Sequence, residues 1–174
     1  MRIITVVPIG RVDGDHLKFL AGRLAARLRA ACLVEPNGRA CDFAYNAARG
    51  QYHSTEILKR LLQEPWTESW RILGVTDFDL YIPILTFVFG EAQLGHTAAL
   101  VSTHRLRPEF YGMPRDSGLL QERLLKEALH ELGHTLGLRH CADYHCVMSA
   151  SHNADRIDLK QAEFCSACSG AAGV

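Results

Sequence analysis

The sequence predicts an α+β fold in which helices pack on a mixed, twisted β-sheet. Short apolar segments of strand type alternate with amphipathic helical segments through the first 116 residues, and a long leucine-rich helix follows them. The chain has 174 residues, 48% of them hydrophobic, which is enough to bury a core. We therefore expect a single domain spanning residues 1–174.

The N-terminal elements begin with an apolar run of strand length at residues 3–7. Residues 15–32 carry apolar side chains at helical spacing, and Asp15 is a suitable helix start. Ser54 can cap a second helix, which Pro65 would end. The chain thus opens as strand, helix and helix.

Three later segments are predicted as strands because they are apolar runs of strand length. They are residues 71–81, 85–89 and 98–102. A long helix then opens at Asp116 or Ser117, just after Pro114. This helix leads into the main functional signal of the chain.

That signal is the run at residues 130–140, which reads His-Glu-Leu-Gly-His-Thr-Leu-Gly-Leu-Arg-His. On a helix, His130 and His134 lie one turn apart on the same face and can bind one cation, with Glu131 beside them to transfer protons. Gly137 tolerates a positive φ, so the helix can end there and His140 can turn back as a third ligand. Three nitrogen ligands leave a position of zinc open for water, which is typical of a catalytic site.

The alternative interpretation is a leucine-rich core helix that carries histidines incidentally. Leu125, Leu129, Leu132 and Leu136 do follow the spacing of a buried stripe. The histidines lie off that stripe, and a core histidine has no need of the adjacent glutamate, the glycine and the further histidine at fixed offsets. The extended motif therefore favours a metal site.

Four cysteines follow the third histidine, and two of them form a C-x-x-C pair. They are Cys141, Cys146, Cys165 and Cys168. Four thiolates fill the tetrahedral shell of zinc and leave no open position, so this set predicts a structural site. Two disulfides are the alternative, and they would require an oxidising compartment. His145 could also replace one cysteine in the shell.

These features together resemble the archaemetzincin family of the metzincin metalloproteases. The resemblance rests on the extended histidine motif, the cysteine directly after it, the C-x-x-x-x-C-x-M stretch and the closing C-x-x-C. It implies that His130, His134 and His140 hold a catalytic zinc, that Glu131 is the general base and acid, and that the four cysteines hold a second zinc. It also implies that Met148 forms the Met-turn beneath the catalytic metal. Some metzincins have a tyrosine two residues after that methionine, but here the position is Ala150.

The resemblance also implies a metzincin-like fold, with an antiparallel edge strand that binds extended peptide and residues 141–168 as a second zinc-binding subregion. An exposed edge offers unpaired N–H and C=O groups to an added peptide strand. Residues 89–102 are the candidate region, because Gly90 and Gly95 permit close backbone approach. An ordinary hairpin with two turn glycines explains the same residues.

The predicted function is that of a zinc-dependent metallopeptidase acting on peptides or small proteins. It would contain two zinc ions, and a zinc-bound water deprotonated by Glu131 would attack the peptide carbonyl. The alternative is a zinc-containing module that binds peptides with little or no turnover. The intact Glu131 favours the enzyme, since a binding module needs no general base.

Composition excludes several other classes of partner. Lys plus Arg and Asp plus Glu both number 19, so the formal net charge is zero and no basic stripe indicates nucleic acid or an anionic membrane. No apolar run is long enough to span a bilayer. The start of the chain does not resemble a signal peptide, so we expect a cytoplasmic monomer. There, Cys32 and Cys41 would remain free, reduced thiols.

Overall fold

A computed structural model describes residues 1–174, in which a five-stranded sheet lies between two layers of helices. Its helices are α1 (Gly14–Leu28), α2 (Ser54–Gln63), α3 (Ser117–Thr135), α4 (Ala154–Leu159) and α5 (Ser166–Ala172). Its strands are β1 (Ile3–Ile9), β2 (Ala31–Val34), β3 (Tyr45–Asn46), β4 (Gln51–His53), β5 (Arg71–Thr76), β6 (Leu80–Tyr81), β7 (Gly90–Ala92) and β8 (Ala98–Ser102).

The main sheet has the strand order β2-β1-β5-β8-β7. The first four strands in that order are parallel, and β7 alone runs antiparallel at one edge. A smaller sheet with the order β3-β4-β6 lies outside it. The predicted mixed sheet with an antiparallel edge strand is therefore confirmed.

The core lies on both faces of the main sheet because successive strand residues point to opposite sides. Ile4 and Val6 of β1 pack in the larger cluster with the leucines of α1 and α3. Val7 and Ile9 pack in a second cluster with α2. Each parallel strand is thus apolar on both faces, as expected for strands that helices cover from two sides.

Helix α3 positions the candidate site. It begins at Asp116, whose carboxylate accepts a hydrogen bond from the Leu119 amide at 2.9 Å, as the sequence predicted for this helix start. Its leucine stripe is buried against the sheet. The fully buried members are Leu124, Leu125, Leu129 and Leu132. At its other end the Arg71 guanidinium donates to the hydroxyl and carbonyl of Thr135. The helix is therefore fixed at both ends.

Several predicted boundaries are wrong for local reasons. The helix predicted for residues 15–32 ends at Leu28, because Arg29 adopts a left-handed conformation and the chain continues as β2. Residues 71–81 split into β5 and β6. Residues 85–89, predicted as a strand, form an irregular segment with one isolated bridge at Val88. None of the helices is both long and apolar enough to cross a membrane.

Ser54 does not cap α2 in the predicted way. It is the first residue of the helix, and its hydroxyl donates to the carbonyl of Tyr81 and to the carboxylate of Glu91. The helix ends before Pro65 as expected. The side chain thus joins α2 to the edge strand β7 and leaves the helix amides to other partners.

Candidate active site

The three motif histidines converge on one point at the C-terminal end of α3. Ligand nitrogens of His130, His134 and His140 all lie within 4.8 Å of one another. The Nε2 atoms of His130 and His134 are 3.1 Å apart, close to the roughly 3.4 Å expected for two nitrogens bound to one tetrahedral zinc. Gly137, with φ of 88°, makes the turn that brings His140 back. Three convergent imidazole nitrogens are a donor set that suits zinc.

Hydrogen bonds fix the tautomers of the first two histidines. The Nδ1 of His130 lies 2.9 Å from the carbonyl of Val147, and the Nδ1 of His134 lies 2.8 Å from the carbonyl of Leu138. A carbonyl only accepts, so each Nδ1 carries the proton and each Nε2 presents a lone pair. Burial, followed by the nearby Lys160 ammonium, lowers the pKa of His130 to about 3. Both rings are therefore held in the neutral form that binds metal.

Glu131 lies beside the histidines and is 6% exposed. Burial raises the pKa of this carboxyl well above its usual range, and the Glu127 carboxylate one turn earlier raises it further. A carboxyl with a raised pKa holds a proton more firmly than an exposed glutamate does. This is the property that a residue must have to take a proton and later return it.

A cleft of about 460 Å³ opens over these side chains. Residues 85–92 form one wall, and the histidines with Glu131 and Glu127 form the other. Residues 150–152 also line the cleft, and Ala150 offers no hydroxyl to it. Leu85, Phe87 and Val88 make the first wall largely apolar. The segment predicted as a strand at 85–89 thus lines the cleft.

The edge strand β7 borders this cleft and leaves backbone groups free. Ser102 donates its amide to the carbonyl of Phe89 and Glu91 pairs with Leu100, so the N–H and C=O of Glu91 face β8. Those of Gly90 and Ala92 then face away from the sheet. A Cβ at Gly90 would lie 2.6 Å from the carbonyl oxygen of Leu100 in β8 and 2.7 Å from Cγ of Glu131, so glycine lets the strand approach both. Thr55 Oγ1 donates to Glu91 at 2.8 Å and anchors the strand to α2.

Met148 is fully buried. It packs directly against Gly133 in α3, where a Cβ would overlap the methionine sulfur. The Met148 carbonyl accepts the Cys141 amide at 3.0 Å, which ties the turn to the chain that follows His140. Gly133 therefore sets how closely the turn approaches the helix.

The four cysteines form a second cluster. Their sulfurs lie within 4.8 Å of one another, and those of Cys141 and Cys165 are 3.9 Å apart. Four thiolates bound to one zinc would be about 3.8 Å apart, whereas disulfide sulfurs are about 2.05 Å apart. The backbone amide of Cys168, helped by neighbouring thiols, lowers the pKa of Cys165 to about 7, whereas burial raises the pKa of Cys146 and of Cys168. His145 is exposed, its ring lies tilted against that of Tyr144, and it is outside the cluster.

Three polar groups near the site were not predicted from the sequence. Glu127 lines the cleft, and its spacing of four residues from Glu131 on a helix could have revealed it. Lys160 lies far along the chain and has no motif. Ser151 also lines the cleft, and its hydroxyl is a buried polar atom with no hydrogen-bond partner.

Comparison with known proteins identifies close relatives. The chain matches the model of peptidase family M54 over residues 26–171. The archaemetzincin of Methanocaldococcus jannaschii is 46% identical over 165 residues, which cover 95% of this chain and 89% of that protein. The archaemetzincin of Pyrococcus furiosus is 41% identical over 173 residues, which cover 95% and 90%.

Solved structures match over nearly the whole chain. The archaemetzincin of Archaeoglobus fulgidus superimposes with a TM-score of 0.85 at 38% identity, covering 97% of this chain and 99% of that one. A zinc-dependent peptidase from Methanocorpusculum labreanum gives a TM-score of 0.87 at 31% identity, with the same coverage. These likenesses extend well beyond the motif at residues 130–140.

The contact between Gly133 and Met148 predicts the sign of a substitution. Alanine is the better helix former by about 1 kcal/mol, but overpacking a core costs about 1–3 kcal/mol. We expect Gly133→Ala to lower the melting temperature of the metal-loaded protein. The control is Gly22→Ala in α1, where a Cβ meets nothing within 4 Å and stability should rise slightly. A melting temperature for Gly133→Ala at or above that of the parent would show that Met148 does not limit this position.

Proposed function

Because the chain belongs to peptidase family M54, the archaemetzincins, we propose that this zinc metallopeptidase hydrolyses peptide bonds in the cleft between β7 and α3. His130, His134 and His140 hold the catalytic zinc, and Glu131 is the general base. The observation that carries the proposal is the convergence of three imidazole nitrogens beside a buried carboxylate, at one wall of an open cleft. That arrangement leaves room for water and substrate at a fourth position.

The chain supplies the proton transfers. When bound, zinc polarises the substrate carbonyl and acidifies a water molecule. The Glu131 carboxylate takes the proton from the attacking water and then donates it to the nitrogen of the leaving amine. Burial, followed by the Glu127 carboxylate, raises the pKa of Glu131, which is the direction that suits a group that must accept a proton and return it.

The substrate is an extended peptide or a small protein that adds a strand to β7. The free N–H and C=O groups of Gly90 and Ala92 pair with its backbone, which lays the scissile bond across Glu131. The apolar wall formed by Leu85, Phe87 and Val88 receives its side chains. Apolar residues near the cleaved bond are therefore favoured.

The cysteine cluster holds a second, structural zinc within residues 141–168. The fit of the four sulfurs to a tetrahedral shell supports this assignment.

Thiolates of this kind persist where thiols stay reduced, so we place the protein in the cytoplasm. We take the 174 residues as one domain that works as a monomer. Its net charge of zero supports a function without a nucleic-acid or membrane partner.

Replacing Glu131 tests the proposed chemistry. Glu131→Gln keeps the size of the side chain but removes the base, so zinc should remain bound while peptide hydrolysis falls by at least about 10²- to 10⁴-fold. Mass spectrometry of cleavage products from a diverse peptide library gives the rate, and metal analysis gives the zinc content. Cleavage at the parent rate would exclude Glu131 as the base. If the parent cuts nothing yet binds peptides that a zinc-chelating hydroxamate displaces, the protein is a binding module.

Metal content and stability should separate the two zinc sites. We expect two zinc ions per chain in protein purified without chelator. Cys165→Ser should lower the melting temperature markedly, because binding energy at a closed thiolate site is folding energy. His140→Ala should mainly weaken zinc binding at the histidine site. One zinc per chain together with oxidised cysteines would instead establish the disulfide alternative.

The edge-strand role predicts a defect in substrate binding alone. Ala92→Pro removes an N–H that faces away from β8, so the sheet ladder should survive, as proline is tolerated on edge strands. We expect a higher KM for peptides, with zinc content and melting temperature close to those of the parent. Ala92→Val is the control, because it keeps the N–H. Equal KM values for both variants would place the substrate elsewhere in the cleft.

A further inference from the structure

A buried lysine lies behind the candidate zinc site. The side chain of Lys160, at the end of α4, is 1% exposed. Its ammonium donates to the Glu127 carboxylate at 2.9 Å, to the carbonyl of Ser149 at 3.0 Å and to the carbonyl of Val147 at 3.3 Å. An ammonium has three protons, so every donor is used. One side chain thus joins α3, the Met148 turn and α4.

The lysine shares an acceptor with the first histidine. The Val147 carbonyl that Lys160 contacts also accepts the Nδ1 proton of His130 at 2.9 Å. This bond fixes the tautomer and the orientation of the imidazole. The position of the carbonyl therefore decides where the Nε2 of His130 points, and Lys160 is the group that holds the carbonyl from the other side.

A purely structural ion pair would not need this arrangement. Replacing a buried pair with apolar residues of similar volume is often neutral or stabilising, so pairing with Glu127 is a weak reason to bury a lysine. The two carbonyls on either side of Met148 are the other acceptors, and the carbonyl of Ser149 has Lys160 as its partner. The ammonium thus fixes the backbone of the Met148 turn on both sides of the methionine.

We propose that Lys160 is a positioning residue for the catalytic metal. It holds the Val147 and Ser149 carbonyls so that His130 presents its Nε2 to the zinc, with Glu127 as the counter-ion that makes its burial possible. The proposal rests on the proposed function, in which His130 is a zinc ligand. Outer-shell groups of this kind typically change metal affinity about 10- to 100-fold when they are removed.

The experiment compares variants that remove the Lys160 ammonium with a variant that changes only its partner Glu127. A chelator removes metal from the open histidine site while the cysteine site keeps its zinc, and Co²⁺ is then titrated in. Its visible spectrum reports ligand geometry, and the titration gives the affinity. The variants are Lys160→Met, Glu127→Gln and the double variant Glu127→Met with Lys160→Met.

We expect Lys160→Met and the double variant to lose about 10- to 100-fold in Co²⁺ affinity, with a changed spectrum. The double variant buries no unpaired charge, so it should fold stably and remain informative even if Lys160→Met does not fold. Glu127→Gln leaves an acceptor for the ammonium and both turn carbonyls in contact with it. It should lose stability but keep an affinity and a spectrum close to those of the parent.

The Arg123–Asp158 pair supplies a matched control. Arg123 is 3% exposed and joins α3 to α4, as Glu127 and Lys160 do, but it contacts neither carbonyl of the turn. Arg123→Met should lower stability and leave the Co²⁺ spectrum unchanged.

Two results would overturn the proposal. A double variant with the affinity and spectrum of the parent would show that Lys160 serves only as a counter-ion, and the proposed function would stand. A parent that takes up no Co²⁺ at the histidine site would overturn the proposed function as well.

Discussion

Burial of α3 on nearly all sides is the constraint on which the rest of the structure depends. Its leucines pack on the sheet, and the polar residues of its other faces are also covered. A buried polar group costs about 1–3 kcal/mol if it has no partner, so each of these side chains needs one. Several of these partners come from the last part of the chain. Val147 accepts from His130, Lys160 pairs with Glu127, and Asp158 pairs with Arg123. The tail therefore completes the active-site helix.

The tail has little core of its own to keep it in that position. Helices α4 and α5 are six and seven residues long, and α5 has no buried residue. Segments this short are not stable by themselves in water. A cluster of four cysteines drawn from both ends of residues 141–168 offers a solution, because a metal bound there, as we propose, would link Cys141 to the start of α5. The Met148 turn would then connect the two proposed zinc sites, since its carbonyl accepts the Cys141 amide.

Local chemistry explains which parts could be predicted from the sequence. The ligand spacing at His130 and His134, the turn at Gly137 and the cap at Asp116 are properties of neighbouring residues on one helix. Interactions between distant residues leave no such trace, so Lys160 was missed. The strand prediction for residues 85–89 was wrong for another reason. An apolar run that lines a cleft has the same composition as a buried strand, and only tertiary contacts distinguish the two.

Two glycines allow neighbouring segments to pack closely against the end of α3. Gly90 lets the edge strand reach Glu131, and Gly133 lets Met148 pack against the opposite side of the helix. The end of α3 is therefore held between β7 and the Met148 turn, with no side chain at Gly90 or Gly133 to widen either contact. Close packing of this kind transmits small displacements, since a packed interior has little free volume to absorb them. A shift of the turn must then alter the separation between the edge strand and Glu131. The positions of the edge strand, the carboxylate and the histidines are therefore linked, and the buried ammonium of Lys160 contacts the Val147 and Ser149 carbonyls of the turn.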